Sequence, residues 1–172
     1  MLKNAGVFLI LLSGAGLGYT KSRELTLRER NLRQLLQMII YLKGSVRCGC
    51  ASFPEAFKET AGKLSGVYGE FLREISVRMK NSQGSTLAEI YRRCAEEKLK
   101  DLRLSGAEQE FLFSIGGRLG YLDREMQLRQ LELCEDEIQR FLEELRKEMP
   151  EKKKLYQSLG VLGGIFLAVL LW

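Results

Sequence analysis

The chain has 172 residues, with 27 Lys plus Arg against 22 Asp plus Glu, no His, four Cys and two Pro. Without imidazole there is no Ser/His/Asp or Cys/His nucleophile pair and no ordinary catalytic zinc site, so any chemistry would fall to carboxylates, Lys, Tyr or thiols. The net charge of +5 is unevenly spread: no charged residue lies between Asn4 and Thr20, or between Leu155 and Trp172.

The first of these stretches reads NAGVFLILLSGAGLGYT. It approaches the roughly 20 apolar residues that cross a bilayer as a helix, and Tyr19 stands where amphipathic rings favour the headgroup level. The start Met1-Leu2-Lys3 with the small residues Gly14, Ala15 and Gly16 also fits a cleavable signal peptide. Charge argues for a retained span. Lys21, Arg23, Arg28, Arg30 and Arg33 follow it, and Arg146, Lys147, Lys152, Lys153 and Lys154 precede the second uncharged stretch. Both basic flanks face the same middle region, so the positive-inside rule puts that region in the cytoplasm and both termini across the membrane.

From Glu24, the apolar residues Leu25, Leu32, Leu35, Leu36, Ile39, Leu42 and Val46 recur at helical spacing. This predicts a helix running directly out of the first span and ending near Gly44 and Gly49. Ser52 can cap a short helix from about Phe53 to Lys63, with Pro54 and Glu55 in its first turn. Gly62, Ser65, Gly66 and Gly69 punctuate the chain before a stripe of Tyr68, Phe71, Leu72, Ile75 and Met79, and Asn81 to Gly84 reads as a loop. Ser85 or Thr86 caps a helix bearing Leu87, Ile90, Tyr91, Cys94 and Leu99. Ser105 and Glu108 have capping-box spacing before Phe111, Leu112 and Ile115, and Gly116, Gly117 and Gly120 are expected to close that element. The longest periodic segment runs from Leu122 to about Met149, with Leu131, Cys134, Ile138, Phe141, Leu142 and Leu145 on one face. Pro150 permits a bend before the second span.

Sustained alternation is absent and β-branched residues are sparse. The predicted fold is therefore all-α: a cytoplasmic bundle of about five or six helices, residues 21–154, between transmembrane helices at 1–20 and 155–172. All 22 acidic residues lie in the middle region. Its basic excess sits at the membrane-proximal ends, where anionic lipid explains it without a nucleic-acid partner.

Cys48-Gly49-Cys50 is a single CxC with no second pair and no His, too few ligands for a tetrahedral metal site. Cys94 and Cys134 fall on apolar stripes and read as small core residues. Gly14 with Gly18, and Gly160 with Gly164, have the GxxxG spacing that lets helices approach closely in lipid, within the chain or between copies. Asp123 and Gln127 share one helix face, as a solvated or internally bonded pair or as a partner contact. Gly116, Gly117 and Gly120 lack the preceding strand and following GKS or GKT of a phosphate loop. No cofactor, metal or small-molecule substrate is implied.

Three stretches, in this order, carry a family resemblance: the opening MLKNAGVFLILLSGAGLGY with the basic segment after it; Leu119-Gly120-Tyr121-Leu122-Asp123 with Gln127, similar to an LGxxDxxxQ pattern; and Leu155-Tyr156-Gln157-Ser158-Leu159-Gly160 to Gly164, similar to LYxxLGxLxG. Together they resemble the bacterial stage III sporulation protein AB family over essentially the whole chain. A fourth stretch, residues 42–57, departs from the family's LExEIxYGxTPLxEAL-like segment: Lys43 and Ser45 replace its two glutamates and Ser52 its turn proline, while Glu55 and Ala56 fit. The resemblance implies a non-enzymatic platform subunit in the mother-cell membrane of a sporulating bacterium, its helical domain similar to those of type II secretion inner-membrane platform proteins. It would couple a secretion-type ATPase to the other subunits of a channel between mother cell and forespore. Partner-contact candidates are Glu55, Arg73, Arg78, Glu89, Arg92, Arg93, Asp123 and Gln127. A membrane-tethered regulator that binds anionic lipid or a signalling partner, and a thiol-dependent enzyme, are the readings from other classes.

Overall fold

The structure, a computed structural model, describes residues 2–49, 52–81, 84–120 and 123–170. Among these the chain is all-helical and without strands: α1 Leu2–Arg47, α2 Phe53–Lys63, α3 Val67–Asn81, α4 Leu87–Lys98, α5 Gly106–Leu119 and α6 Arg124–Leu170. Its contacts divide it into two units, Arg30–Leu142 and Met1–Glu29 with Glu143–Trp172.

In the unit Arg30–Leu142, the periodic residues of α1 turn inward as their spacing predicts: Leu32, Leu35, Ile39 and Leu42 are fully buried. Leu36 is half-buried and Ile40 exposed, on the flank of the same helix. Helices α2 and α3 form a tight pair through Leu64–Gly66. Gly66 has φ +72, a backbone that L side chains rarely adopt, and a Cβ on Gly69 would fall 2.5 Å from the Leu64 carbonyl oxygen. The buried face of the pair carries Phe57, Ala61, Tyr68, Phe71, Leu72 and Ile75. Each large side chain taken out of water there contributes about 1.5–3 kcal/mol.

The starts of α4 and α5 follow from local chemistry. Thr86 accepts from the Glu89 backbone N–H at 3.3 Å, and the Glu89 carboxylate accepts from the Thr86 N–H at 3.2 Å. Ser105 and Glu108 repeat the arrangement at 3.3 and 2.6 Å. Each reciprocal pair satisfies two amide groups that a bare helix end would leave without partners. Helix α2 begins at Ser52 as expected, but the Ser52 hydroxyl makes no capping bond.

Two expectations about helix ends are corrected. Gly116 and Gly117 lie inside α5, whose C-cap is Gly120. Gly116 is needed for close approach, because a Cβ there would sit 2.3 Å from the Tyr91 Cβ of α4. Pro150 lies within α6. Leu99, placed on α4 by its spacing, is the C-cap of that helix, its N–H donating to the Ala95 carbonyl at 2.8 Å.

The Tyr91 ring meets Phe71 edge-on at a centroid distance of 5.0 Å. Its hydroxyl is buried and has no hydrogen-bond partner. Burial pushes the phenol well above its ordinary range, with smaller contributions from Cys134 and Tyr68. A buried hydroxyl without a partner costs about 1–3 kcal/mol. Tyr91→Phe keeps the ring contact and removes that cost, so thermal unfolding followed by circular dichroism should show a midpoint a few degrees higher. An unchanged or lower midpoint would mean that the hydroxyl is satisfied in solution.

The unit Met1–Glu29 with Glu143–Trp172 pairs the outer parts of α1 and α6. The Arg146 Nε lies 3.4 Å from Glu29 Oε1. Ser22 and Leu145 are buried in this unit, whereas Tyr19, Leu155, Leu159 and Leu162 are exposed. Among the described residues no helix is long and apolar enough to cross a membrane. The side chains of residues 2–18 and most of those after 156 fall outside the described set, and the expected packing of Gly14, Gly18, Gly160 and Gly164 falls outside it with them.

Candidate partner-binding site

A cleft of about 390 Å³ opens where the end of α1, the start of α2 and the start of α6 meet, lined by Val46, Gly49, Ser52, Phe53, Ala56, Arg124 and Gln127. Gly49 ends α1 with φ +91. Arg124 bridges the elements: its guanidinium donates to the Val46 carbonyl at 3.2 Å and to the Arg47 carbonyl. The Val46 carbonyl also accepts from the Gly49 N–H at 3.4 Å, and a cation beside the last carbonyls is the favoured pairing at a helix C-terminus. Asp123 starts α6, its Oδ1 accepting from the Met126 N–H at 2.8 Å. The aspartate therefore caps a helix, and the glutamine one turn on lines the cleft.

The 119–127 stretch, one of those that carry the family resemblance, and the 42–57 stretch, which departs from the family pattern, thus meet in space. Of the three positions where this chain departs from the pattern, Lys43 and Ser45 turn away from solvent and Ser52 is exposed at the cleft. The Ser45 hydroxyl lies 3.4 Å from the Thr60 hydroxyl, both buried. Lys43 forms an ion pair with Glu135 of α6, with only 19% and 18% of the two side chains exposed. Arg47 adds a looser bridge to Glu132 at 3.5 Å.

The remaining candidates are exposed or half-buried and fall away from the cleft, except Glu55, exposed in the first turn of α2 beside it. Arg78 joins α3 to α4: it pairs with Glu74 at 2.7 Å and with both oxygens of Glu97 at 2.6 and 3.2 Å. The hydrogen bond from Arg78 holds the Glu97 carboxyl below its ordinary range. Glu89 belongs to the cap of α4, and Arg92 pairs with Glu96 at 3.0 Å and reaches Glu110 at 4.0 Å. Arg73 and Arg93 are exposed and form no ion pair among the described residues. Sequence reasoning named neither Arg124 nor Phe53 for this region. The one signal available for Arg124 was its place inside the LGxxDxxxQ-like stretch.

Cys94 and Cys134 are buried, as their stripes predict. Burial pushes both thiols up, Cys134 to about 11, so neither supplies the thiolate that nucleophilic chemistry requires. Cys48 is exposed, and Cys50 lies outside the described residues. Among the described residues no group of His, Cys, Asp or Glu could hold a metal ion.

The profile of the family described as Stage III sporulation protein AB matches residues 3–172. A curated relative, Stage III sporulation protein AB of Bacillus subtilis (strain 168), is 26% identical over 172 residues, covering 99% of each chain. A solved structure of a Stage III sporulation protein AB superposes with a TM-score of 0.62 at 20% identity, covering 72% of this chain and 96% of that one, and supports the helical fold. With the family pattern running from residue 3 to the last residue, the chain belongs to the stage III sporulation protein AB family.

Proposed function

We propose that this protein is a non-enzymatic platform subunit anchored in the mother-cell membrane of a sporulating bacterium. Its ends, 1–20 and 155–172, span the bilayer, its middle stands in the cytoplasm, and a secretion-type ATPase docks on it and is thereby coupled to a transenvelope channel. The carrying observation is the meeting of the 42–57 and 119–127 stretches at one surface cleft. A protein that works by binding needs a rigid, shaped surface, and Arg124 fixes this one by tying α6 to the end of α1. The uncharged ends and their basic flanks support the topology.

Site-specific photocrosslinking in sporulating cells tests the reading. Ser52 is exposed and its hydroxyl makes no capping bond, so a photoreactive side chain there disturbs little while facing the cleft. The ATPase should be recovered by mass spectrometry from the crosslinked product at Ser52, and far less of it from a probe at Arg73 on α3. Recovery of the ATPase from neither position would overturn the proposal.

A further inference from the structure

We infer that the stem formed by the outer parts of α1 and α6 carries a ring of cations that binds the headgroups of anionic phospholipids. The inference rests on the membrane-anchored reading above and adds a lipid preference to it.

The register of the stem comes from two observations. Arg146 pairs with Glu29, and Glu148 feels the charge of Arg28, so α6 numbers rise as α1 numbers fall and the helices run antiparallel. Eight residues back along α1 from Glu29 is Lys21, and eight forward along α6 from Arg146 is Lys154. At the helical rise, each lies about 12 Å beyond the ion pair. Lys21, Arg23, Lys152, Lys153 and Lys154 therefore reach the same level, where both uncharged stretches begin.

Internal pairing consumes part of this charge. Lys21 is held by Glu24 at 3.0 Å, and Lys152 by Glu148 one turn back. Among the described residues Arg23, Lys153 and Lys154 have no acidic partner, and Glu151 is the one acid at their level that is also unpaired. Lys21, Arg23 and Lys154 are exposed, Lys152 and Lys153 are half-buried, and Ser22 between the α1 cations is buried, so the α1 cations and Lys154 point outward from the stem. Cations that face outward at the start of an uncharged span have the placement that anionic headgroups complement. A phosphodiester also accepts the several N–H donors that Arg and Lys present.

Attraction to an anionic surface is worth about 1 kcal/mol per Lys or Arg, which is about fivefold in lipid preference for each. It fades within a Debye length of about 8 Å. Lys147 lies about 10 Å short of Lys154 along α6 and serves as an internal control.

The test is native mass spectrometry of the full chain released from nanodiscs holding equal amounts of phosphatidylglycerol and phosphatidylcholine. The unchanged chain should retain phosphatidylglycerol at least about fivefold over phosphatidylcholine. The triple variant Arg23→Gln, Lys153→Gln, Lys154→Gln, which removes the three cations without an acidic partner, should approach parity, and Lys147→Gln should keep the preference. Equal retention by the unchanged chain overturns the inference, and so does a preference that survives the triple change. Release of the chain from native membranes by alkaline carbonate would sink the anchored reading itself. Carbonate-resistant insertion without lipid preference would sink the headgroup ring alone.

Discussion

Gly116→Ala should destabilise the helical unit by about 2–3 kcal/mol, the cost of forcing extra volume into a close-packed contact. The added Cβ would lie 2.3 Å from the Tyr91 Cβ, 2.5 Å from its Cγ and 2.9 Å from its Cδ1. The nearest atom is attached to the backbone of α4, so no rotamer change of Tyr91 relieves the overlap, and α4 and α5 must move apart. That movement pulls on Tyr91, whose ring contacts Phe71 of α3, so the loss spreads through α3, α4 and α5. Next door, Gly117 is exposed and a Cβ there meets nothing within 4 Å. Gly117→Ala should therefore show only the helix-propensity gain, up to about 1 kcal/mol of stabilisation. Thermal and urea unfolding of the two variants reads both signs. A Gly116→Ala variant as stable as the unchanged chain would mean that α4 and α5 are not in van der Waals contact at this point.

The same pair of glycines shows what a sequence can and cannot convey. Adjacent glycines after an apolar stripe look like a helix end, and nothing local separates a glycine that frees the backbone from one that admits a neighbouring ring. The distinction belongs to the α4–α5 crossing. Signals that live within one turn were legible: Ser105 with Glu108 named its own capping box, the start of α4 was narrowed to Ser85 or Thr86, and Phe53–Lys63 emerged with the observed bounds. The burial of Cys94 and Cys134 followed from period alone. The cleft was not legible, because Arg124 and Val46 are 78 positions apart and no pattern in either stretch says that they meet. Asp123 was recognised as notable, but its structural work is a cap at the start of α6. That reading was open in sequence from the helix that follows it.

Lys43→Glu should destabilise the protein by about 2 kcal/mol, and the added change Glu135→Lys should restore most of the loss. Lys43 and Glu135 join α1 to α6 with less than a fifth of either side chain exposed. Screening there is weaker than for a surface pair, whose contribution is typically below about 1 kcal/mol. Reversing one charge both removes an attraction and sets two carboxylates against each other, a cost that grows with burial. The double reversal restores opposite signs in the same place, so the coupling between the positions should approach the size of the single-variant loss. Position 43 carries a glutamate in the pattern this chain otherwise resembles. The experiment therefore asks whether the departure at Lys43 is compensated within the fold by Glu135, or is tied to a partner. If the double variant regains stability and still supports sporulation, Lys43 acts through Glu135 and the neighbouring cleft is left intact. If stability returns and sporulation does not, the positive charge at position 43 is itself required on α1, and the proposed docking surface extends from the cleft up that helix.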